Sequence, residues 1–336
     1  MAIDWILVLN AGSSSLKAAA YGRAGARLAA ARLEEVDVAA LDSVALFDLA
    51  ERLHRAAAPR TLAEAPLAVG HRIVHGLDRR APCRLDAAAR AAAEAASAFA
   101  PLHNPPALHA ADLAARLWPG AAAYACFDTA FHADAPALET MLALPEDWRA
   151  LGLRRYGFHG LSYASLVRRF EAETGAKLPR RLLALHLGAG ASACAILDGR
   201  ALASSMGFSP MDGLVMASRC GALDPGVIFH LLRQGASPET VERRLNRDSG
   251  LVGLAGTGDM RVLLARDDDA ARQAVALYVR SAARHAAGLI CALGGLDGLA
   301  FTGGVGERAA PIREAVVDAL AWAGARAERT WTVPAD

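Results

Sequence analysis

Asn10-Ala11-Gly12-Ser13-Ser14-Ser15-Leu16-Lys17 gathers an amide, a turn-permitting glycine, three hydroxyls and an ammonium into one short stretch. It follows the apolar run Trp5-Ile6-Leu7-Val8-Leu9, which reads as a buried strand. A strand that opens into a Gly/Ser turn presents converging backbone N–H groups, and a lysine adds positive charge, so the segment can cradle phosphate oxygens. An ordinary polar hairpin turn explains the same residues as well. Further along stand Arg72, His103, Asp128, His159, His186 and Arg219. Singly, an arginine usually pairs a surface carboxylate, and a histidine in an apolar run is often a satisfied core group. Together they suit phosphoryl transfer, whose migrating group spreads charge over its equatorial oxygens. Arginine answers that charge because its planar fork binds oxyanions bidentately and stays ionised. Asp128, beside Thr129, reads either as a cap or as a group that orients metal-bound water or a substrate carboxylate.

Other chemistries fit less well. His71 and His75 are four apart, but in a strand that separation spans ~13 Å, so one metal does not bridge them. No Gly-x-x-x-x-Gly-Lys-Ser/Thr sequence is present, which argues against a P-loop. Gly188-Ala189-Gly190 starts like a dinucleotide fingerprint, yet a strand-like run follows where that motif needs a helix. Gly304-Val305-Gly306 does lie between a strand and a helix, but a lone Gly-x-Gly there is as well read as a tight turn.

The elements that must hold these residues read as follows. Leu16–Tyr21 is a strand after the first turn, and 66–74 is another. Helices are expected over Asp86–Phe99 and Ala107–Leu117, with a strand at Ala121–Phe127. Leu161–Thr174 is an amphipathic helix that stops near Gly175. Arg181–Leu187 and Ser192–Leu197 flank the second Gly-rich turn, and Asp198-Gly199 is a hairpin signal. This strand–turn–strand unit echoes the first. Asp268–Leu293 reads as a long helix, Gly298–Thr302 as a strand and Pro311–Ala323 as a helix.

Composition bounds the class. The 336 residues can hold two domains, with 54% hydrophobic and 21% charged residues. Thirty-six basic residues against 35 acidic ones leave a net charge of +1, and no basic stretch points to nucleic acid. There is no long uncharged apolar span, and the N-terminus lacks a basic region before its apolar residues, so neither a membrane segment nor a signal peptide is expected. Five scattered cysteines without a Cys-x-x-Cys pair fit reduced thiols in a cytoplasm.

The blocks His71–Gly76, Pro101–Pro105, Phe127–His132, Tyr156–Gly160, His186–Ser192, Gly207–Pro210, Ser218–Gly221 and Phe301–Glu307 follow the first turn in order. This ordered set closely resembles acetate kinase and its short-chain acyl-kinase relatives, over nearly the whole chain. The resemblance implies an α/β fold of two duplicated actin-like ATPase (ribonuclease H-like) domains with a cleft between them, 1–129 for acyl group and phosphate and 130–336 for nucleotide. It implies reversible phosphoryl transfer from ATP to acetate, with Mg²⁺, in a cytoplasmic homodimer. Arg72 and Arg219 would hold the acyl carboxylate and the phosphoryl in flight, His159 would hydrogen-bond the transition state, and Asp128 would be the catalytic acidic residue. Asn10 would lie near Mg²⁺, with Ser13, Ser15 and Lys17 around the phosphates. His186, Leu187, Gly188, Ala189 and Gly190 would contact the β- and γ-phosphates. Asp259, Met260 and Arg261, together with Gly304, Val305, Gly306, Glu307 and Arg308, would hold the nucleoside. Val74, Leu102, His103, Phe158 and Pro210 would bound the acyl site.

The chain departs from the family pattern in places. Ala189 stands where an Asn is usual, Tyr163 replaces a second His, Leu77 replaces a Gly, and Arg308 replaces an Asn. The segments between Tyr21 and Pro66 and around Thr257-Gly258 read as short, and the family's terminal segment, with a metal-linked Glu and a final helix, is expected to be lacking. A propionate or butyrate kinase, or a catalytically weak nucleotide-binding regulator, are the alternatives these differences leave open.

Overall fold

The structure is a computed structural model that describes residues 2–12, 15–34, 36–58 and 61–335. The chain separates into two units, Met1–Ala130 and Phe131–Asp336.

The first unit is built on the strands β1 (Trp5–Ala11), β2 (Ser15–Gly22), β3 (Arg27–Glu34), β4 (Ala68–Ile73), β5 (Cys83–Arg84) and β6 (Ala122–Phe127), ordered β3-β2-β1-β4-β6-β5. β1, β2 and β3 form an antiparallel meander, whereas β1, β4 and β6 run parallel. β1 alternates buried Trp5, Leu7, Leu9 and Ala11 with half-buried residues, the period-2 pattern of a strand with one core face. That face packs with Leu46, Leu49 and Leu53 of the helix Ser43–Ala56 and with Leu113 of the helix Asn104–Leu117. Each such leucine stabilises the unit by roughly 1.5–3 kcal/mol through burial. Asp42 caps the first of these helices by accepting from the Ala45 N–H.

The second unit repeats the plan with β7 (Arg181–Leu187), β8 (Ala191–Leu197), β9 (Arg200–Ser204), β10 (Gly298–Thr302) and β11 (Thr330–Thr332), ordered β11-β10-β7-β8-β9. β7, β8 and β9 are again an antiparallel meander, and β7, β10 and β11 are parallel. The order meander–central strand–two parallel strands therefore occurs twice, which is the duplicated actin-like design. β8 and β10 are buried on both faces, so small and apolar residues fill them apart from Ser192 and Thr302. Tyr163, Leu166 and Phe170 from the helix Gly160–Thr174 pack with Leu182, Ala184, Cys194 and Ile196.

Most elements fall where the pattern places them, with instructive differences. Regular helix ends at Ala95 and passes into a 3-10 turn at Ala96–Ala98, and the helix at Ala310–Ala319 is followed by another such turn at Ala321–Ala323. His75 lies beyond the end of β4, because the chain turns after Ile73. β3 and the helix Ser43–Ala56 occupy the stretch that carried no assignment; Arg27–Glu34 is rich in alanine and charge and has little intrinsic strand character. Among the described residues no helix is long and apolar enough to cross a membrane.

Candidate active site

In the first unit the parallel strands β1, β4 and β6 deliver their C-terminal residues to one edge of the sheet. Leu9 lies beside His71, and Arg72 beside Cys126. Alternation then puts Asn10 and Arg72 on one face, and Lys17 joins them as the cross-strand partner of Asn10. Asp128, one residue past β6, completes the row. Arg72 donates from Nε to both Asp128 oxygens, at 3.1 and 3.2 Å, and from Nη2 to Oδ2 at 2.5 Å. Its Nη1 donates to Asn10 Oδ1 at 2.9 Å. A guanidinium has five N–H groups, so two remain for a ligand. The Asp128 side chain is 2% exposed and that of Arg72 27%. Burial opposes the Arg72 charge, but the adjoining Asp128 carboxylate outweighs it and raises the Arg72 pKa.

The segment after β4 is pinned. Asn104, fully buried, accepts from the His75 N–H at 3.0 Å and donates to the His75 carbonyl at 3.0 Å. Thr129 accepts from the Gly76 N–H at 3.1 Å. Leu77 sits at φ +53°, a conformation that suits glycine better than leucine. Val74 is buried, and Leu102 and His103 are half-buried just before the helix at Asn104. Ser15 opens β2, its carbonyl accepting from the Gly12 N–H at 2.8 Å, and Lys17 is exposed. Ser13 lies outside the described residues.

In the second unit the site forms where β7 turns into β8. His159 precedes the helix Gly160–Thr174 in the left-handed region, at φ 57°. Its ring stacks on His186, with centroids 4.3 Å apart. A Cβ built on Gly190 would lie 3.0 Å from His159 Nε2 and 3.8 Å from Arg219 Nη1. Two side-chain nitrogens thus converge on Gly190. Arg219 is aimed by its own Nη1 bond to the Pro210 carbonyl, at 2.9 Å. Phe158 is buried, so it and Pro210 can serve as walls as well. His186 Nδ1 bonds the Ser162 hydroxyl at 2.9 Å.

The turn itself is tight. Gly188 donates its N–H to the Gly190 carbonyl at 2.9 Å, and the Ala189 carbonyl accepts from Ala217 at 3.1 Å. A Cβ on Gly188 would be 3.7 Å from His186 Nε2 and 3.9 Å from the Gly304 N–H nitrogen. Gly303, at φ +79°, comes so close that a Cβ would meet the Leu187 carbonyl oxygen at 2.7 Å. The structure therefore brings His186, Leu187, Gly188, Ala189 and Gly190 against the start of the helix Gly303–Arg308, which carries Val305, Gly306, Glu307 and Arg308. Glu307 accepts from the Gly303 and Ala335 N–H groups, at 3.1 and 2.9 Å, and so braces that helix. Asp259 caps the helix Met260–Ala265 and pairs with Arg261 at 2.7 Å, which holds its carboxyl down at about 2.

No group of three His, Cys, Asp or Glu side chains among the described residues could hold a metal ion. The oxygens of Asn10 and Asp128 suit a hard cation, but both already accept from Arg72. This donor set fits a cation that arrives coordinated by phosphates and water, and does not fit a caged one. Sequence reading passed over Ser162 and Ser192. Ser192 is the cross-strand partner of His186, so its position on the site face was readable once β7 and β8 were paired.

The acetokinase family model matches residues 25–333. The acetate kinase of Rhodopseudomonas palustris strain TIE-1 is 46% identical over 263 residues, covering 76% of this chain and 66% of that protein. The chain thus spans just under two thirds of this relative's length. Among solved structures, Porphyromonas gingivalis acetate kinase superposes with a TM-score of 0.86 at 28% identity, covering 99% of this chain and 96% of its own. A propionate kinase from Francisella tularensis gives a TM-score of 0.85 at 30% identity, covering 95% and 88%.

Proposed function

The chain belongs to the acetokinase family, and from that membership we propose that it transfers the γ-phosphoryl group of ATP reversibly to acetate, giving acetyl phosphate and ADP. The observation that carries this reading is the convergence of His159 Nε2 and Arg219 Nη1 on Gly190, 3.0 and 3.8 Å from where its Cβ would lie. Donors so placed answer charge on a phosphoryl group in transfer without reorganising. The acceptor carboxylate is already an anion, so no base is needed to activate it. Arg72 binds it with the two N–H groups left over from Asp128 and Asn10. Asp128 accordingly acts by orienting Arg72. The carboxylate oxygen forms the new bond to phosphorus as the bond to the ADP oxygen breaks, and the electron pair leaves with ADP. Lys17 and Ser15 in the first unit, and the His186–Gly190 turn in the second, bind phosphate oxygens. Asp259–Arg261 and Gly304–Arg308 take the nucleoside, with Met260 buried behind them. Mg²⁺, carried in on the nucleotide near Asn10, supplies neutralisation of phosphate charge.

The test is an acetate-dependent hydroxamate assay with ADP release followed in parallel. Nucleotide binding without acyl phosphate would favour a regulator. Propionate is the second acceptor to compare, because a propionate kinase is among the similar structures. A homodimer is part of the proposal. The helix Pro225–Arg233 exposes Val227 at 41%, Phe229 at 56% and Leu231 at 37%, and these would be covered by a second copy. All five cysteines are free, which suits a cytoplasmic protein.

A further inference from the structure

His159, the residue placed at the phosphoryl group, sits at the end of a buried chain of hydroxyls. Its Nδ1 is 2.8 Å from Ser192 Oγ, and Ser192 Oγ is 2.6 Å from the Tyr163 hydroxyl. Ser192 and Tyr163 are both fully buried. Tyr163 occupies the position where the family usually has histidine, so this chain of groups is built from residues of this sequence.

The protons along it can be counted. Tyr163 and Ser192 each have one O–H to donate, and Nδ1 of a neutral imidazole either donates or accepts. Among the described residues, Ser192 Oγ is the hydrogen-bond partner of the Tyr163 hydroxyl, so it is the acceptor offered to the Tyr163 proton. The Tyr163 O–H therefore donates to Ser192. With that lone pair engaged, the Ser192 O–H has His159 Nδ1 as its acceptor. Reversing the chain leaves the Tyr163 proton with no acceptor, and letting both neighbours donate to Ser192 strands the serine proton. One arrangement uses every proton: Tyr163 to Ser192 to Nδ1. The imidazole proton is then on Nε2, the atom 3.0 Å from the Cβ position of Gly190.

We propose that Ser192 and Tyr163 are positioning residues that hold His159 in its Nε2–H tautomer, with that proton aimed into the space beside Gly190. The catalytic meaning of this rests on the phosphoryl-transfer reading; the tautomer itself does not. The left-handed backbone at His159 fits such a role, since a ring held by Ser192 on one edge and stacked on His186 is fixed in direction.

The experiment labels histidine with ¹⁵N and reads the ring nitrogens of His159 in long-range ¹H–¹⁵N correlation spectra, assigned with His159→Gln. The full chain is expected to show a bare Nδ1 and a protonated Nε2. Ser192→Ala combined with Tyr163→Phe removes the chain without leaving a buried tyrosine proton stranded. In that variant the two nitrogen signals should move toward averaged values, and kcat should fall about tenfold with both KM values within twofold of wild type. Ser192→Thr, which keeps the hydroxyl, should restore both readouts. A wild-type spectrum with the proton on Nδ1 overturns the proposal. So does a double variant, folded by circular dichroism, that keeps the wild-type spectrum and kcat. An inactive chain with the expected spectrum would refute the proposed function alone.

Discussion

Replacing Arg72 with alanine strands a carboxylate that the fold buries. Asp128 is 2% exposed, and its described side-chain bonds all come from Arg72. Removing one partner of a buried pair typically costs about 3–5 kcal/mol. The Asn10 amide oxygen also loses its donor, at about 1 kcal/mol. Arg72 is partly exposed, so water can reach the vacated space, and the lower end of that range, about 3 kcal/mol, is the expected loss. At 1.36 kcal/mol per factor of ten, that is roughly a hundredfold or more. Because the two units need not unfold together, the assay is amide hydrogen exchange followed by mass spectrometry. Peptides over β4 and β6 should exchange about a hundredfold faster in Arg72→Ala. Asp128→Asn in the same chain removes the stranded charge and should recover about 2 kcal/mol. If Arg72→Ala leaves β4 and β6 exchange within threefold of wild type, the pair does not hold these strand ends, and Asp128 is free for another role.

Four further outcomes follow from the same geometry. Arg219→Ala should lower kcat by about 10²–10³ with melting temperature nearly unchanged, since it removes one preorganised donor; near-normal turnover would move Arg219 out of the site. Gly190→Ala puts a methyl 3.0 Å from His159 Nε2 and should cut kcat at least tenfold while the fold holds, read by steady-state kinetics beside a thermal melt. Val74→Ala should raise kcat/KM for propionate relative to acetate by up to about tenfold, because a methylene carries about 1–3 kcal/mol; an unchanged ratio removes Val74 from the acyl wall. His71 is buried with no hydrogen-bond partner for either ring nitrogen among the described residues, and burial, against the attraction of Asp112, lowers its pKa from 6.5 to about 4. The unfolded chain therefore binds this proton first, so stability falls as pH drops from 6.5 toward 4, by up to about 3 kcal/mol. Urea midpoints of wild type and His71→Leu should converge or cross over that window; parallel curves would refute the assignment.

The sequence by itself determined the local pieces. The Asp198-Gly199 hairpin, with both residues at positive φ, and the helix stop at Gly175 follow from what single residues permit along the backbone. β7 and β10 were legible to the residue because their buried stretches, Leu182–Leu185 and Leu299–Phe301, are apolar without interruption. The ordered motifs also carried the family. Tertiary structure decided how those residues engage one another. That Arg72 is clamped by Asp128, 56 positions away, and that Tyr163 and Ser192 load His159 from behind are consequences of strand and helix packing. β3 carried no assignment because alanine and charge give Arg27–Glu34 little strand character until a sheet selects it, whereas the helix Ser43–Ala56 was readable from its Asp42 cap and the spacing of Leu46, Leu49, Ala50 and Leu53. Hydrogen-bond partnership is the most non-local of these properties. It depends on atoms brought within 3 Å by the whole unit, and a one-dimensional pattern does not contain that distance.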